Sequence, residues 1–167
     1  MADNNELRLD VEGNDVITDA IMTLINQYPA MGSTDEISFS MLDENNGIAM
    51  YPVSGAIIQS ERISITGHVH QECAYPFFVI FRSAGLSEER KMYIKEWLDN
   101  LGRWLEKQQI KVGTATHKLA EYPELTGGRR FKWIGRKSPA APNTVNPNGS
   151  EDWVISMAAV YECDYYR

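Results

Sequence analysis

The chain has 167 residues, of which 43% are hydrophobic and 23% are charged, and its formal net charge is −7. This length and composition predict one globular domain and exclude a membrane-spanning, collagen-like or disulfide-rich chain. The acidic balance and the lack of a helix-turn-helix, zinc-finger or ribonucleoprotein pattern argue against sequence-specific DNA binding. Cys73 and Cys163 form no disulfide framework, and residues 1–10 carry no secretory signal, so we expect a protein of a reducing compartment.

The first predicted elements are a helix and a pair of short strands. Residues 14–28 have apolar side chains at helical spacing, and Asn14 or Asp15 is the expected N-cap. Those apolar residues are Val16, Ile17, Ala20, Ile21, Leu24 and Ile25. Residues 37–41 alternate with a period of two, and after a polar turn residues 48–51 return as a second strand.

Two further strands are predicted in the middle of the chain. Residues 63–71 alternate cleanly, which indicates one strand with an apolar and a polar face. The apolar face holds Ile63, Ile65, Gly67 and Val69, and the polar face holds Ser64, Thr66, His68, His70 and Glu72. Residues 75–83 are apolar on both faces, which is typical of a central strand covered on two sides. Since the helices of one subunit cover one face, we expect Phe78 and Ile80 to contact another subunit.

The second half of the chain predicts a long helix and two strands. Residues 87–108 form the helix, and its apolar stripe packs in the core. The stripe consists of Ile94, Trp97, Leu98, Leu101, Trp104 and Leu105. Residues 129–136 read as a strand in which Phe131 and Trp133 share a face, and the last strand spans residues 153–162.

This order of elements predicts the fold class and the domain boundaries. We expect an α+β fold, with a mainly antiparallel sheet and two principal helices packed on one face. Residues 1–13 are expected to be a flexible N-terminus, and residues 14–167 a single domain. Residues 138–150, rich in proline and asparagine, are expected to form a mobile loop.

Charge is distributed unevenly along the sequence. Residues 1–60 hold ten acids and one base, whereas residues 129–137 hold five bases and no acid. The five bases are Arg129, Arg130, Lys132, Arg136 and Lys137. They indicate either an ordinary solvated face or a surface that contacts an oppositely charged neighbour or partner.

Few residues suggest a catalytic or metal-binding role. His68 and His70 lie two apart on a strand and could share a metal ion with Glu72 or Cys73, or they could be ordinary surface histidines. No nucleotide-binding, nucleophile-elbow or metalloprotease motif is present, and both cysteines are expected to be inert. We therefore predict no catalytic residue, metal or cofactor. The alternative is a small-ligand-binding or metal-dependent enzyme domain around His68, His70 and Tyr75.

Four segments of the chain carry a family resemblance. They are Ile63–Val69, Tyr75–Arg82, Leu86–Arg90 and Trp97–Leu105, within a match of about residues 16–162. The chain resembles the tail-terminator, or minor capsid, proteins encoded in the head–tail gene cluster of tailed bacteriophages and prophages of Gram-positive bacteria. The resemblance implies a structural protein, not an enzyme, with an α+β domain that closes into a ring, commonly a hexamer.

The resemblance also implies partners and a location. The ring would cap the tail tube, so the expected partners are further copies of the chain, the tail-tube protein and the head-completion or connector protein. A non-specific contact with DNA passing through the ring is left open, and no membrane contact is expected. The expected location is the virion tail or neck, and the bacterial host cytoplasm during assembly. Another head–tail joining role is left open.

Overall fold

The computed structural model describes residues 7–33, 35–85 and 87–167 and has an α+β fold. This confirms the predicted fold class. The helices are α1 (Val11–Asn26) and α2 (Glu88–Leu105). The strands are β1 (Ile37–Phe39), β2 (Gly47–Pro52), β3 (Ile57–Ile63), β4 (His68–Ser83), β5 (Ile110–Val112), β6 (Ala115–His117), β7 (Arg129–Arg136), β8 (Ala141–Val145) and β9 (Glu151–Tyr166). Neither helix is both long and apolar enough to cross a lipid bilayer.

A long antiparallel ribbon of β4 and β9 forms the centre of the seven-stranded sheet. The two strands pair along their whole length, from His68 opposite Tyr166 to Ser83 opposite Glu151. The edge of β4 that faces away from β9 pairs with β3 along one stretch and with β2 along the next. The edge of β9 that faces away from β4 pairs with β7 and β8. The separate β5–β6 hairpin follows α2.

Pro76 lies within the central strand β4 without breaking the sheet. Its carbonyl accepts a hydrogen bond from the N–H of Val53, between the stretches of β4 that pair with β3 and with β2. The N–H and C=O of one residue point to the same side of an antiparallel strand. The N–H that Pro76 lacks would therefore point into the gap between the stretches that pair with β3 and with β2.

Three strand predictions are wrong. Residues 63–71 are not one strand but a hairpin, because β3 ends at Ile63 and the chain turns through Gly67, whose φ is +83°. Ile65 stands at the tip and is fully exposed. β1 and β2 pair in parallel rather than as a hairpin. In β7 a bulge at Lys132 places Trp133 on the face opposite to Phe131. Alternation of apolar and polar residues with a period of two does not show where a strand ends in a turn or where an extra residue forms a bulge. These features therefore could not be predicted from it.

Regular secondary structure extends into two segments where the sequence predicts none. Leu9 bridges to Ile57, the N–H of Asp10 donates to the carbonyl of Ala56, and α1 begins at Val11 with Asp10 as its cap. The predicted cap at Asn14 or Asp15 is therefore wrong. Of the segment 1–13 that is predicted to be flexible, residues 11–13 belong to α1, and residues 1–6 lie outside the described part of the chain. Within 138–150, residues 141–145 form β8 instead of loop.

The hydrophobic core lies between the helices and one face of the sheet. On β4 and β9 the odd-numbered residues face it, among them the fully buried Tyr75, Phe77 and Tyr161. The predicted stripe of α2 is buried there as well, and the indole N–H of Trp97 donates to the carbonyl of Ala30. The even-numbered residues of β4 and β9 therefore point away from both helices.

Candidate docking face

The sheet surface turned away from the helices is called the open face here. It is made of alternate residues of the paired strands, and it is apolar over much of its length. Its apolar members are Leu9, Ala49, Tyr51, Ile57, Ala74, Pro76, Phe78, Ile80, Trp133, Gly135, Ala141, Val154, Ala158 and Val160. Phe78 of the central strand β4 is 36% exposed, and Trp133 of the edge strand β7 is 39% exposed.

Cross-strand register arranges these residues in rows. One row runs from Leu9 through Ile57, Ala74 and Val160 to Trp133. A second row places Tyr51 beside Phe78, and a third places Ala49, Ile80 and Val154 side by side. Because directly opposed side chains contact one another across strands, each row is a continuous apolar strip.

The register partners Pro76, Ala158 and Gly135 lie between the first two rows. The ring of Trp133 lies over Gly135, where a Cβ atom would come within 2.1 Å of the indole. The bulge in β7 therefore turns this tryptophan onto the open face, and the small residue beside it leaves room for the ring.

One end of the open face is charged and is called the charged end. It comprises Arg62, His68, His70, Glu72, Arg130, Lys132, Glu162 and Asp164. Glu72 and Glu162 are direct cross-strand partners, and two like charges in this position repel. The Nζ of Lys132 lies 2.6 Å from Glu72 and 3.5 Å from Glu162, so the bulged lysine neutralises the pair. Its hydrogen bond lowers the pKa of Glu72.

The two predicted histidines lie together at this end. The Nδ1 of His70 is 2.8 Å and the Nε2 of His68 is 3.1 Å from the same oxygen, Oδ1 of Asp164. The other oxygen of Asp164 accepts a hydrogen bond from Arg130. The hydrogen bonds from His70 and then Arg130 lower the pKa of this carboxyl. Across the described ranges, no group of three or more histidine, cysteine, aspartate or glutamate side chains is arranged to hold a metal ion.

The predicted ligand pocket around His68, His70 and Tyr75 does not form. Tyr75 is fully buried on the core face, where its hydroxyl lies 2.7 Å from that of Thr18. Cys73 also points into the core, so it cannot join the histidines as a third ligand. Burial raises the pKa of its thiol to about 11.

The five predicted bases do not form one surface. Arg130 and Lys132 lie on the open face, whereas Arg129 points to the core side and pairs with Asp10, and Arg136 pairs with Glu106 of the segment after α2. Among the described residues, Lys137 alone of the five makes no ion pair. The strand pleat separates neighbours in sequence, and most of this positive charge is balanced inside the chain.

A buried cluster around Asp10 was missed by sequence reasoning. Arg129 donates two hydrogen bonds to the Asp10 carboxylate at 2.8 and 2.9 Å, and the hydroxyl of Tyr161 donates a third at 2.7 Å. Burial alone raises the pKa of Asp10, but the bonds from Arg129, Tyr161 and the N–H of Gly13 outweigh it and lower the pKa. The only signal in the sequence is an aspartate directly before a helical pattern, which marks a cap and not an ion pair.

An open cleft lies on another side of the molecule. Its volume is about 500 Å³, and it lies between the chain around Met41 and the first turns of α2. Its lining includes the acids Asp35, Glu36 and Asp43, and Arg90 stacks over the ring of Tyr93 there.

No model of a known protein family matches the chain, and no curated protein sequence matches it significantly.

Proposed function

We propose that this chain is a structural assembly protein of a bacteriophage tail, a tail terminator that caps the tail tube as a ring and joins it to the head connector. The observation that supports this proposal is the open face, an apolar sheet surface that neither helix covers. Large apolar side chains left exposed on a sheet surface, here Phe78 and Trp133, are typical of a protein that binds other proteins.

Two of the four segments that carry the family resemblance contribute to this face. The segment at 75–82 lies in β4 and supplies Phe78 and Ile80, and the segment at 63–69 forms the hairpin at the charged end. The segment at 97–105 lies in α2 and supports the sheet from the core side. In the proposed ring, copies of the chain, commonly six, bury Phe78 and Ile80 against a neighbour.

The partners follow from the proposed role. The tail-tube protein would bind one side of the ring and the head-completion or connector protein the other, in the virion neck and, during assembly, in the host cytoplasm. Arg130, Lys132 and Lys137 are the bases from the run at 129–137 that remain at the surface for such contacts. Arg129 and Arg136 belong to internal ion pairs. Their proposed role is to hold the strand in place.

Tube polymerisation tests the proposal. The tail-tube protein of the same phage or prophage would be polymerised alone and with this chain, and tube length and tube ends would be measured by electron microscopy. We expect shorter tubes of uniform length that carry a ring at one end. The variant Phe78→Glu should abolish the effect, and Met92→Glu, at an exposed apolar residue of α2, should retain it. Unchanged tube lengths with bare ends would refute the proposal.

A second candidate is a metal-dependent role for His68 and His70. The contact of both imidazoles with one oxygen of Asp164 is the observation that favours it. Metal analysis of the purified protein decides the question. Stoichiometric zinc that is lost in the double variant His68→Ala, His70→Ala would support this role over the structural one.

A further inference from the structure

The dipeptide Asn-Gly occurs twice in the chain, as Asn46–Gly47 at the start of β2 and as Asn148–Gly149 between β8 and β9. An asparagine in this setting can react with its own chain, because the backbone nitrogen of the next residue can reach the side-chain carbonyl carbon. Glycine allows the closest approach, since it carries no Cβ atom. The reaction requires that the side-chain amide can turn and that the backbone nitrogen can leave its hydrogen bond.

The side chain of Asn148 is held in place by four hydrogen bonds. Its Oδ1 accepts from the N–H of Ser150 at 3.1 Å and from the hydroxyl of the same serine at 2.7 Å. Its Nδ2 donates two more, both of 2.9 Å, to residues 44 and 45 of the loop before β2. The N–H of Gly149 donates to the carbonyl of Asn146 at 2.9 Å. Both reacting groups of this pair are therefore restrained by the fold.

The side chain of Asn46 has no such restraint. It is exposed in the lining of the cleft around Met41, and it makes no hydrogen bond to any residue that the structure describes. Gly47 is the first residue of β2, and its pair with Arg82 is the last of the β2–β4 ladder at this end. Pairs at the end of a ladder open at little cost in free energy. Asn46 can therefore turn, and the backbone nitrogen of Gly47 is released when the end of the strand opens.

We infer that Asn46 is a site of spontaneous modification, at which the folded chain converts this asparagine into aspartate and isoaspartate while Asn148 stays intact. The backbone nitrogen of Gly47 loses its proton to solvent and bonds to Cγ of Asn46. The side-chain nitrogen takes up a proton from solvent and leaves as ammonia, so that a succinimide ring remains. Water then adds to one of the two ring carbonyl carbons and opens the ring. Opening at Cγ gives aspartate, and opening at the backbone carbonyl carbon gives isoaspartate.

The products change the cleft in two ways. Both carry a new carboxylate in a lining that already holds Asp35, Glu36 and Asp43, so the negative charge of the cleft increases. Isoaspartate also inserts one additional methylene group into the main chain directly before the pairing of β2 begins. The reaction needs only residues of this chain and water, so the inference does not rest on the proposed role in the tail.

Peptide mapping by mass spectrometry tests this inference on the wild-type protein. The folded chain is incubated in a warm, mildly alkaline buffer, and the fractions of aspartate and isoaspartate at both sites are followed with time. We expect position 46 to react roughly tenfold faster than position 148 or more, because the hydrogen bonds of Asn148 must break before its side chain can turn. In urea, where the fold restrains neither site, the two rates should agree within about threefold.

Two variants provide matched controls. Isoelectric focusing should show an acidic band that grows with time in the wild-type protein and in Asn148→Gln. The band should be absent from Asn46→Gln, since the longer side chain would have to form a larger ring. An unmodified Asn46 in the folded protein, or equal rates at the two sites, would overturn the inference. A rate ratio that persists in urea would overturn it as well, because the fold would then not be the cause.

Discussion

Asp10 is the residue at which the polar contacts of the N-terminal segment converge. It caps α1, and its carboxylate receives hydrogen bonds from Arg129 of β7 and Tyr161 of β9. A buried ion pair of this kind contributes little in excess of its desolvation cost while intact, but the loss of one partner leaves a buried charge uncompensated. Arg130, the next residue in the sequence, is 60% exposed and pairs with acids at the surface.

These two arginines should therefore differ sharply when replaced. Arg129→Met should lower the free energy of unfolding by about 3–5 kcal/mol, since Asp10 is left buried without its cation. Arg130→Met should change it by about 0–1 kcal/mol, as is usual for exposed pairs. Urea unfolding of both variants at neutral pH measures the difference. Equal losses would show that the Asp10 pair is not the buried anchor described above.

The pKa of Asp10 makes stability depend on pH. Because this pKa is lower in the folded than in the unfolded chain, ionisation of Asp10 stabilises the fold above the ordinary aspartate pKa of about 3.9. That contribution is lost as the pH falls from there through the folded value. Asp10→Asn should thus lower stability more at pH 7 than at pH 2–3. Asp19→Asn, at an exposed position of α1, is the control, and urea unfolding at each pH is the measurement.

At the scale of elements, α2 is the part that the sequence predicts best. Its stripe recurs at helical spacing and is buried against the sheet, and Ser87 caps the helix. Leu101→Ala should therefore lower the free energy of unfolding by about 2–5 kcal/mol. Met92→Ala, at an exposed position of the same helix, should change it by less than about 0.5 kcal/mol. Chemical denaturation of both variants tests this, and equal effects would place the stripe outside the core.

Alanine substitutions at two turn glycines distinguish the cost of backbone strain from the cost of steric crowding. Gly113 and Gly128 both have positive φ, at 62° and 72°, so an alanine at either position carries a similar conformational cost of about 1–2 kcal/mol. At Gly128 a Cβ atom would also lie 2.1 Å from the carbonyl oxygen of Asp164, whereas nothing lies within 4 Å at Gly113. Gly128→Ala should thus be the more destabilising by about 1–3 kcal/mol. Thermal denaturation checks this, and similar melting temperatures would contradict it.

At the scale of the whole molecule, the charge balance of the open face can be tested. Its charged residues are four bases, Arg62, Arg82, Arg130 and Lys132, and four acids, Glu72, Asp152, Glu162 and Asp164. Replacement of Arg130 and Lys132 by glutamine leaves two bases against four acids on this face. If copies of the chain contact one another through this face, as in the proposed ring, the added repulsion should weaken their association about fivefold at low salt and less at high salt, where charges are screened. Sedimentation equilibrium at two ionic strengths measures the effect, with Arg103→Gln on α2 as the control. An effect independent of salt would speak against an electrostatic cause.

The sequence by itself determined the secondary-structure class, the core stripe of α2 and the apolar character of β4 on both faces. These features depend on local periodicity and composition, which a reader of the chain can measure directly. Only the tertiary structure decided which apolar face is covered and which acids meet the five bases. Phe78 and Phe77 look alike in sequence, and helices on one side of the sheet bury one and leave the other exposed. The Asp10–Arg129 pair joins residues 119 apart, and such a contact follows from strand register and packing, which no local pattern encodes.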